Sequence, residues 1–303
     1  MNRRTFLKNL VTTSTAVALS GCPPFSLTQP TDSLYYSQHQ NKVLLIGIDG
    51  LRPDALEAAK TPNLDHLITH GAYSNHAKSG EYTVSAPGWS NILTGVWEKK
   101  HGVKDNSFRG AKYDRYPSLF TRLEKSYPSL YTASIVSWEP INDKIIPHAN
   151  KRYSNHEDDH LVMKSAVDTL NQENPDLLFV YFGDVDLAGH KYGFHPSVVG
   201  YRREIEEVDH QIGSVLQALC GRKNYSDEDW LILCTTDHGG RRAGHGQNTP
   251  EDRTIFYLAS GKSVQPGKIS GTPQQVDIVP TILQHLRIPS DLSWGLDGKV
   301  CGL

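Results

Sequence analysis

Lys42-Val43-Leu44-Leu45-Ile46-Gly47-Ile48-Asp49-Gly50 is the stretch that decides the fold of this 303-residue chain. From Val43 to Ile48 no polar side chain interrupts the run, as expected of a strand covered on both faces in a parallel sheet. Comparable runs recur at 176–182, 230–235 and 254–259. Between them Val198, Tyr201, Ile205, Val208, Ile212, Val215 and Leu219 fall three or four apart, which predicts a long amphipathic helix closed by Gly221. Thr61-Pro62 opens another helix, with Thr61 as cap, Pro62 at its first position and Gly71 as its stop. Strands interleaved with helices predict an α/β fold. Its central, mostly parallel sheet would be covered by helices on both faces as a three-layer sandwich.

Outward from that first strand, the acids and histidines gather at strand ends. Asp49 follows Ile48, Asp186 and His190 follow the second run, Asp237 and His238 follow the third, and His245 comes shortly after. In open α/β sheets ligands bind beyond the carboxyl ends of the strands. Singly, each residue has a plain structural reading: Asp49 before Gly50 as a turn former, Asp186 and His190 as helix-capping residues, His245 as one of 14 histidines. Together, six oxygen and nitrogen donors at the same edge of the sheet suit two divalent metal ions. Zn2+ fits best, and Mn2+ or Fe accept the same donors.

Composition narrows the partners. The 31 basic and 33 acidic side chains give a net charge of -2 without long blocks, so no nucleic-acid tract is present and a small substrate must be captured locally. No protein partner is evident, and no repeat of solenoid or propeller period is visible. Asn2-Arg3-Arg4-Thr5-Phe6-Leu7-Lys8 resembles a twin-arginine export signal. The apolar stretch to Leu19 is too short to span a bilayer. Leu19-Ser20-Gly21-Cys22 resembles a lipobox. Residues 1–22 are therefore expected to be a lipoprotein signal, 23–40 a flexible tether and 41–303 a single catalytic domain, lipid-anchored at Cys22 on the periplasmic side or the cell surface. Of Cys220, Cys234 and Cys301, the first two are free to pair, although Cys234 in a strand also reads as a buried thiol.

The order of motifs then resembles a known family. Ile46-Gly47-Ile48-Asp49-Gly50, Ser85-Ala86-Pro87, Leu93-Thr94-Gly95, His101 to Asn106, Asp184 to His190, Thr235 to Gly240 and Gly244-His245-Gly246 are similar to the type I phosphodiesterase and nucleotide pyrophosphatase branch of the alkaline phosphatase superfamily. The resemblance implies an alkaline phosphatase-like fold holding two metal ions. One would be bound by Asp186, His190 and His245, the other by Asp49, Asp237 and His238, with Ser85 as nucleophile beside the second. Asn106 matches the amide that donates to a phosphoryl oxygen. The implied reaction is hydrolysis of a phosphodiester or pyrophosphate bond through a covalent Ser85 intermediate.

Three positions depart from that pattern. Ser85 stands where this branch usually has threonine, with Thr83 two positions earlier as a rival. Ala86 stands where nucleotide-cleaving members place an aromatic. Trp89 occupies the position of the sulfatase arginine, which disfavours sulfate ester chemistry. Trp89 and Trp138 read either as walls of a leaving-group pocket or as core aromatics, and His101 and His195 as loop-fixing or supporting residues. The same site would also serve a phosphomonoesterase or phosphonate hydrolase. A non-catalytic metal-binding surface lipoprotein is the reading from another class, and a scaffold has no need of a nucleophile.

Overall fold

The computed structural model describes residues 40–154 and 158–303. The signal at 1–22 and the tether, save Gln40, lie outside them. The strands are β1 (Asn41–Ile48), β2 (Ala72–Lys78), β3 (Thr132–Val136), β4 (Lys151–Ser154), β5 (Leu177–Phe182), β6 (Asp229–Thr235), β7 (Thr254–Ser260) and β8 (Gly267–Lys268). They form one sheet in the order β4-β3-β5-β1-β6-β7-β2-β8. From β4 to β6 all neighbours are parallel, and β7 runs antiparallel to both β6 and β2.

The helices are α1 (Pro53–Ala58), α2 (Pro62–Thr69), α3 (Ser85–Thr94), α4 (Glu98–His101), α5 (Leu119–Ser126), α6 (Asp159–Gln172), α7 (Asp184–Tyr192), α8 (Val199–Cys220), α9 (Pro250–Arg253) and α10 (Ile278–His285). Side chains alternate across β1, as strand geometry requires. Leu44, Ile46 and Ile48 enter a core closed by α6 and α8. Val43 and Leu45 enter a second core closed by α3, α5 and α10. This is the three-layer sandwich expected from the unbroken apolar runs.

Several local expectations change. Thr61 is the N-cap of α2, but its side chain makes no cap bond to the backbone. The Asp209 carboxylate on α8 accepts from the N–H groups of Asn63 and Leu64, at 3.2 and 2.8 Å, so a partner remote in sequence caps this helix. Gly221 does end α8, yet at φ -76° it stays right-handed. The contemplated Cys220–Cys234 bridge does not form: Cys234 is a free thiol packed in the first core, and Cys301 is free and buried as well. No helix among the described residues is long and apolar enough to cross a membrane.

Candidate active site

Because β5, β1 and β6 are adjacent, their carboxyl ends lie side by side and deliver the donors to one place. Asp49 follows β1, and its N–H still bonds to Phe182 O at 2.9 Å. Asp186 and His190, four apart on α7, share one helix face. Asp237 and His238 come just after β6, and His245 enters from the following loop. His190 Nε2 lies 3.1 Å from His245 Nε2. Asp186 lies 3.3 Å from His190 Nε2 and 3.6 Å from His245 Nε2. His238 Nε2 lies 3.4 Å from Asp49 Oδ1 and 3.3 Å from Asp237 Oδ2.

The ligating atoms form two groups, Asp186 with His190 and His245, and Asp49 with Asp186 and His238. Asp186 therefore reaches into both, where the resemblance assigns it to one. Asp237 borders the second group through Oδ2, its Oδ1 being held by the N–H of Gly50 at 3.2 Å.

Hydrogen bonding fits these atoms to cations. Nδ1 of His190, His238 and His245 each faces a backbone carbonyl, that of Ala243, Gly239 and Thr83, at 3.0, 2.8 and 2.9 Å. A carbonyl only accepts, so each Nδ1 carries the proton and each Nε2 offers a lone pair. In the neutral rings of His190 and His245 two such lone pairs face each other, which is repulsive unless a cation sits between them. Asp49 Oδ1, Asp186 Oδ1, Asp237 Oδ2 and His238 Nε2 are all buried without a hydrogen-bond partner. Such orphaned buried groups are costly, and metal coordination satisfies them.

Charge gives the same reading. Burial, then the neighbouring Asp186, raises the Asp49 pKa, and burial followed by Asp49 pushes that of Asp237 well above the carboxylate range. Burial opposes protonation of His238, but Asp237 and Asp49 outweigh it and lift that ring to about 9. Burial and the His238 charge hold His245 at about 4. Burial would raise Asp186 too, but the His190 bond and the surrounding histidines bring it below the usual value. Protons and divalent cations thus compete for one acidic cage. Its inner wall, Asp49, Asp237 and His238, is buried, whereas His190 opens to solvent.

Several supporting residues escaped the sequence reading. Tyr181 and Trp89 donate to Asp49 Oδ2 at 2.7 and 2.9 Å, leaving Oδ1 for coordination. Trp89 is thereby a buried orienting residue and no pocket wall. Arg52 bonds the carbonyls of Phe194 and Gly240 at 2.9 and 2.8 Å, tying together the segments that follow Asp49, His190 and His238. Gly50 has φ +65°, and a Cβ there would lie 2.6 Å from Asp186 Oδ1, so backbone conformation and close approach both require glycine. Asp159 accepts from the N–H groups of Gly183 and Asp184 at 2.8 Å each and so caps α7, whose N-cap Gly183 has no side chain for it. Arg52 beside Asp49-Gly50 was a sequence signal available for these contacts, because Tyr181 and Asp159 read as ordinary strand or helix residues and Trp89 read as a pocket wall or core aromatic.

Ser85 is the first residue of α3 and is buried. One turn later Trp89 bonds Asp49, and a Cβ at Gly88 would lie 2.8 Å from that of Asp237, which seats the start of α3 against the inner wall of the cage. Thr83 contributes the carbonyl that holds His245, while its own hydroxyl is buried and unbonded. Asn106 Oδ1 accepts from the Ala86 N–H at 2.9 Å. Since an N–H can only donate, this fixes the amide orientation and leaves Nδ2 as a donor above the start of α3. Trp138 stacks on Phe108 with ring centroids 6.0 Å apart. His101 is buried against Asn91 Oδ1 at 2.8 Å, and exposed His195 bonds Ser197, so both fix loops.

Comparison with known proteins accords with this geometry. The chain matches the type I phosphodiesterase / nucleotide pyrophosphatase family over residues 43–145 and 122–256, more than half of its length. It belongs to that family. This type I phosphodiesterase family member is 26% identical over 220 residues to human bis(5'-adenosyl)-triphosphatase ENPP4, covering 65% of this chain and 47% of that protein. It is 26% identical over 223 residues to rat ectonucleotide pyrophosphatase/phosphodiesterase family member 3, covering 66% and 25%. The matched region thus spans half or less of these relatives' own length. Among solved structures, an inactive variant of murine ectonucleotide pyrophosphatase / phosphodiesterase 5 in complex with AMP superposes with a TM-score of 0.69 at 14% identity, covering 83% of this chain and 96% of that one. A 2-O GAG sulfatase superposes with a TM-score of 0.69 at 14% identity, covering 86% and 73%. The shared architecture is the alkaline phosphatase-like sandwich.

Proposed function

We propose that this chain is a two-metal phosphoesterase that hydrolyses phosphodiester or pyrophosphate bonds through Ser85. The observation that carries this reading is the convergence of six donors, four of their atoms buried without partners, beside the helix end that bears a serine. When bound, two divalent cations, Zn2+ by the donor set, would supply Lewis-acid activation and neutralise charge on the phosphoryl oxygens. Asp186, His190 and His245 would hold one, and Asp49, Asp237 and His238 the other, with Asp186 near both.

The chain's own groups have definable tasks. Ser85 Oγ forms the bond to phosphorus as the ester bond on the opposite face breaks, and water then releases the phosphoryl group from Ser85. The start of α3 lends its partial positive charge to the phosphate. Asn106 donates from Nδ2 to a non-bridging oxygen, held in place by its own bond to Ala86. Trp89 and Tyr181 keep Asp49 turned toward the cage. The solvent-facing His190 side is where water enters.

The test is hydrolysis of nitrophenyl esters of phosphate, a phosphodiester, a phosphonate and sulfate by protein purified without chelator, with elemental analysis alongside. Phosphorus esters cleaved in preference to sulfate, with two bound metals per chain, are expected. Absence of both metal and metal-stimulated turnover defeats the reading. For location, we propose export by the twin-arginine route and lipid anchorage at Cys22, supported by Arg3-Arg4 and Leu19 to Cys22. Cys22→Ala should release the protein from the membrane fraction, and an unchanged distribution overturns the anchor.

A further inference from the structure

The connection from α7 to α8 carries one side chain inward. Phe194 alone is buried among residues 191–200, although a connecting segment ordinarily runs over the surface. Its ring meets two of the six donors. It stands perpendicular to His190 at a centroid separation of 5.3 Å and to His245 at 5.9 Å, while the two imidazoles are 4.9 Å apart. The three rings close a triangle, and the Nε2 atoms of its histidine corners lie 3.1 Å from each other. These corners are supported unequally. His245 stacks on the buried His238 at 3.8 Å and bonds Thr83 O, so the inner half of the cage already holds it. His190 is exposed, and away from the other donors it has the Ala243 carbonyl at Nδ1 and the ring of Phe194. One hydrogen bond leaves an imidazole free to swing about it, and the perpendicular ring contact removes that freedom.

Phe194 is itself fixed from several sides. Cβ atoms at Gly189 and Gly240 would lie 2.2 and 2.6 Å from its ring, so the absence of side chains there makes its seat. Tyr201 on α8 packs against it with centroids 5.5 Å apart. Its N–H donates to Arg242 O at 2.6 Å, and its carbonyl accepts from Arg52 Nη1 at 2.9 Å. Arg52 is held in turn, with Nε and Nη2 on the two Asp54 oxygens at 2.9 and 2.7 Å. We infer that Phe194 is a positioning residue for the solvent-facing metal position, the spacer that keeps His190 opposite His245, with Arg52 as its clamp. The inference rests on the two-metal reading and divides the cage into halves with separate supports. Trp89 and Tyr181 orient Asp49 in the inner half, whereas the outer half depends on Phe194.

The experiment titrates the chelator-treated full chain with Co2+, read by calorimetry and by visible absorption. Wild type is compared with Phe194→Leu, with Phe194→Met, which keeps more of the volume should the first variant not fold, and with Phe120→Leu as a control in the second core. Wild type and control should bind two Co2+ with the same affinities. Both Phe194 variants should weaken one equivalent about tenfold, the range for losing a residue that orients a ligand, with the absorption of that equivalent altered and the other unchanged. In a His190→Ala background, where the outer position is already lost, Phe194→Leu should change the remaining equivalent no further. Unaltered binding in both Phe194 variants, equal weakening of both equivalents, or a further loss in the His190→Ala background overturns the spacer role. Wild type that binds two Co2+ yet cleaves no phosphorus ester defeats the phosphoesterase reading and leaves the spacer to the titration, whereas wild type that binds fewer than two overturns the cage and the spacer together.

Discussion

Ser85 and Thr83 are two residues apart, yet the fold gives them different surroundings. Thr83 turns its carbonyl to His245, whereas Ser85 begins α3 at the cage. Ser85→Ala should lower kcat by on the order of 10⁴ or more with metal content retained. Thr83→Ala should leave most of the turnover in place. The opposite ranking in single-turnover assays would move the nucleophile to Thr83. Asn106→Ala should cost about 10² to 10³ in kcat, the range for loss of one preorganised donor to a reacting oxygen. A change confined to KM would make Asn106 a binding residue only. Tyr181→Phe removes one of two donors from Asp49 Oδ2, and metal affinity should fall about tenfold, read by competition with a chromogenic chelator.

At the scale of elements, the site depends on how α7 begins. Asp159 caps it from α6, and burial, with Asp184 nearby, raises its pKa to about 7. A carboxyl whose folded value lies above the unfolded one, about 4, contributes stability fully below that value and loses it as pH rises through 7. In metal-free protein the wild type should therefore lose melting temperature between pH 5 and 8 relative to Asp159→Asn, which does not titrate. A pH-independent difference would show that Asp159 is ionised throughout. The same element explains what the sequence left open about Asp186 and His190. Four residues apart, they suit a helix cap as well as a metal face, and only the packing of α7 against α8 brings both to the cage.

For the whole molecule, the cage is a liability that metal relieves. Three carboxylates and three imidazoles packed within a few ångströms repel or orphan one another without cations. Divalent metal that binds only the folded chain should add about 2.7 kcal/mol at a free concentration 100 times its Kd. Calorimetry should show the melting temperature rising by several degrees with Zn2+ and falling back with chelator. No shift would mean that the six donors do not act as one site.

How far the sequence reached follows from the range of each interaction. Largely apolar runs at 43–48, 176–182, 230–235 and 254–259 determined the central strands, since a strand buried on both faces is mostly apolar on both, and donors at their ends were legible as a set. Edge strand β4 and the penultimate strand β2, which read Lys151 to Ser154 and Ala72 to Lys78 with exposed polar residues, lacked that pattern. Tertiary structure alone decided that β5, β1 and β6 are neighbours. It also decided that Asp209 rather than Thr61 caps α2, that Trp89 and Tyr181 steer Asp49, and that Asp186 faces both halves of the cage. These contacts join residues far apart in the chain, and local periodicity carries no information about which distant side chain will stand opposite.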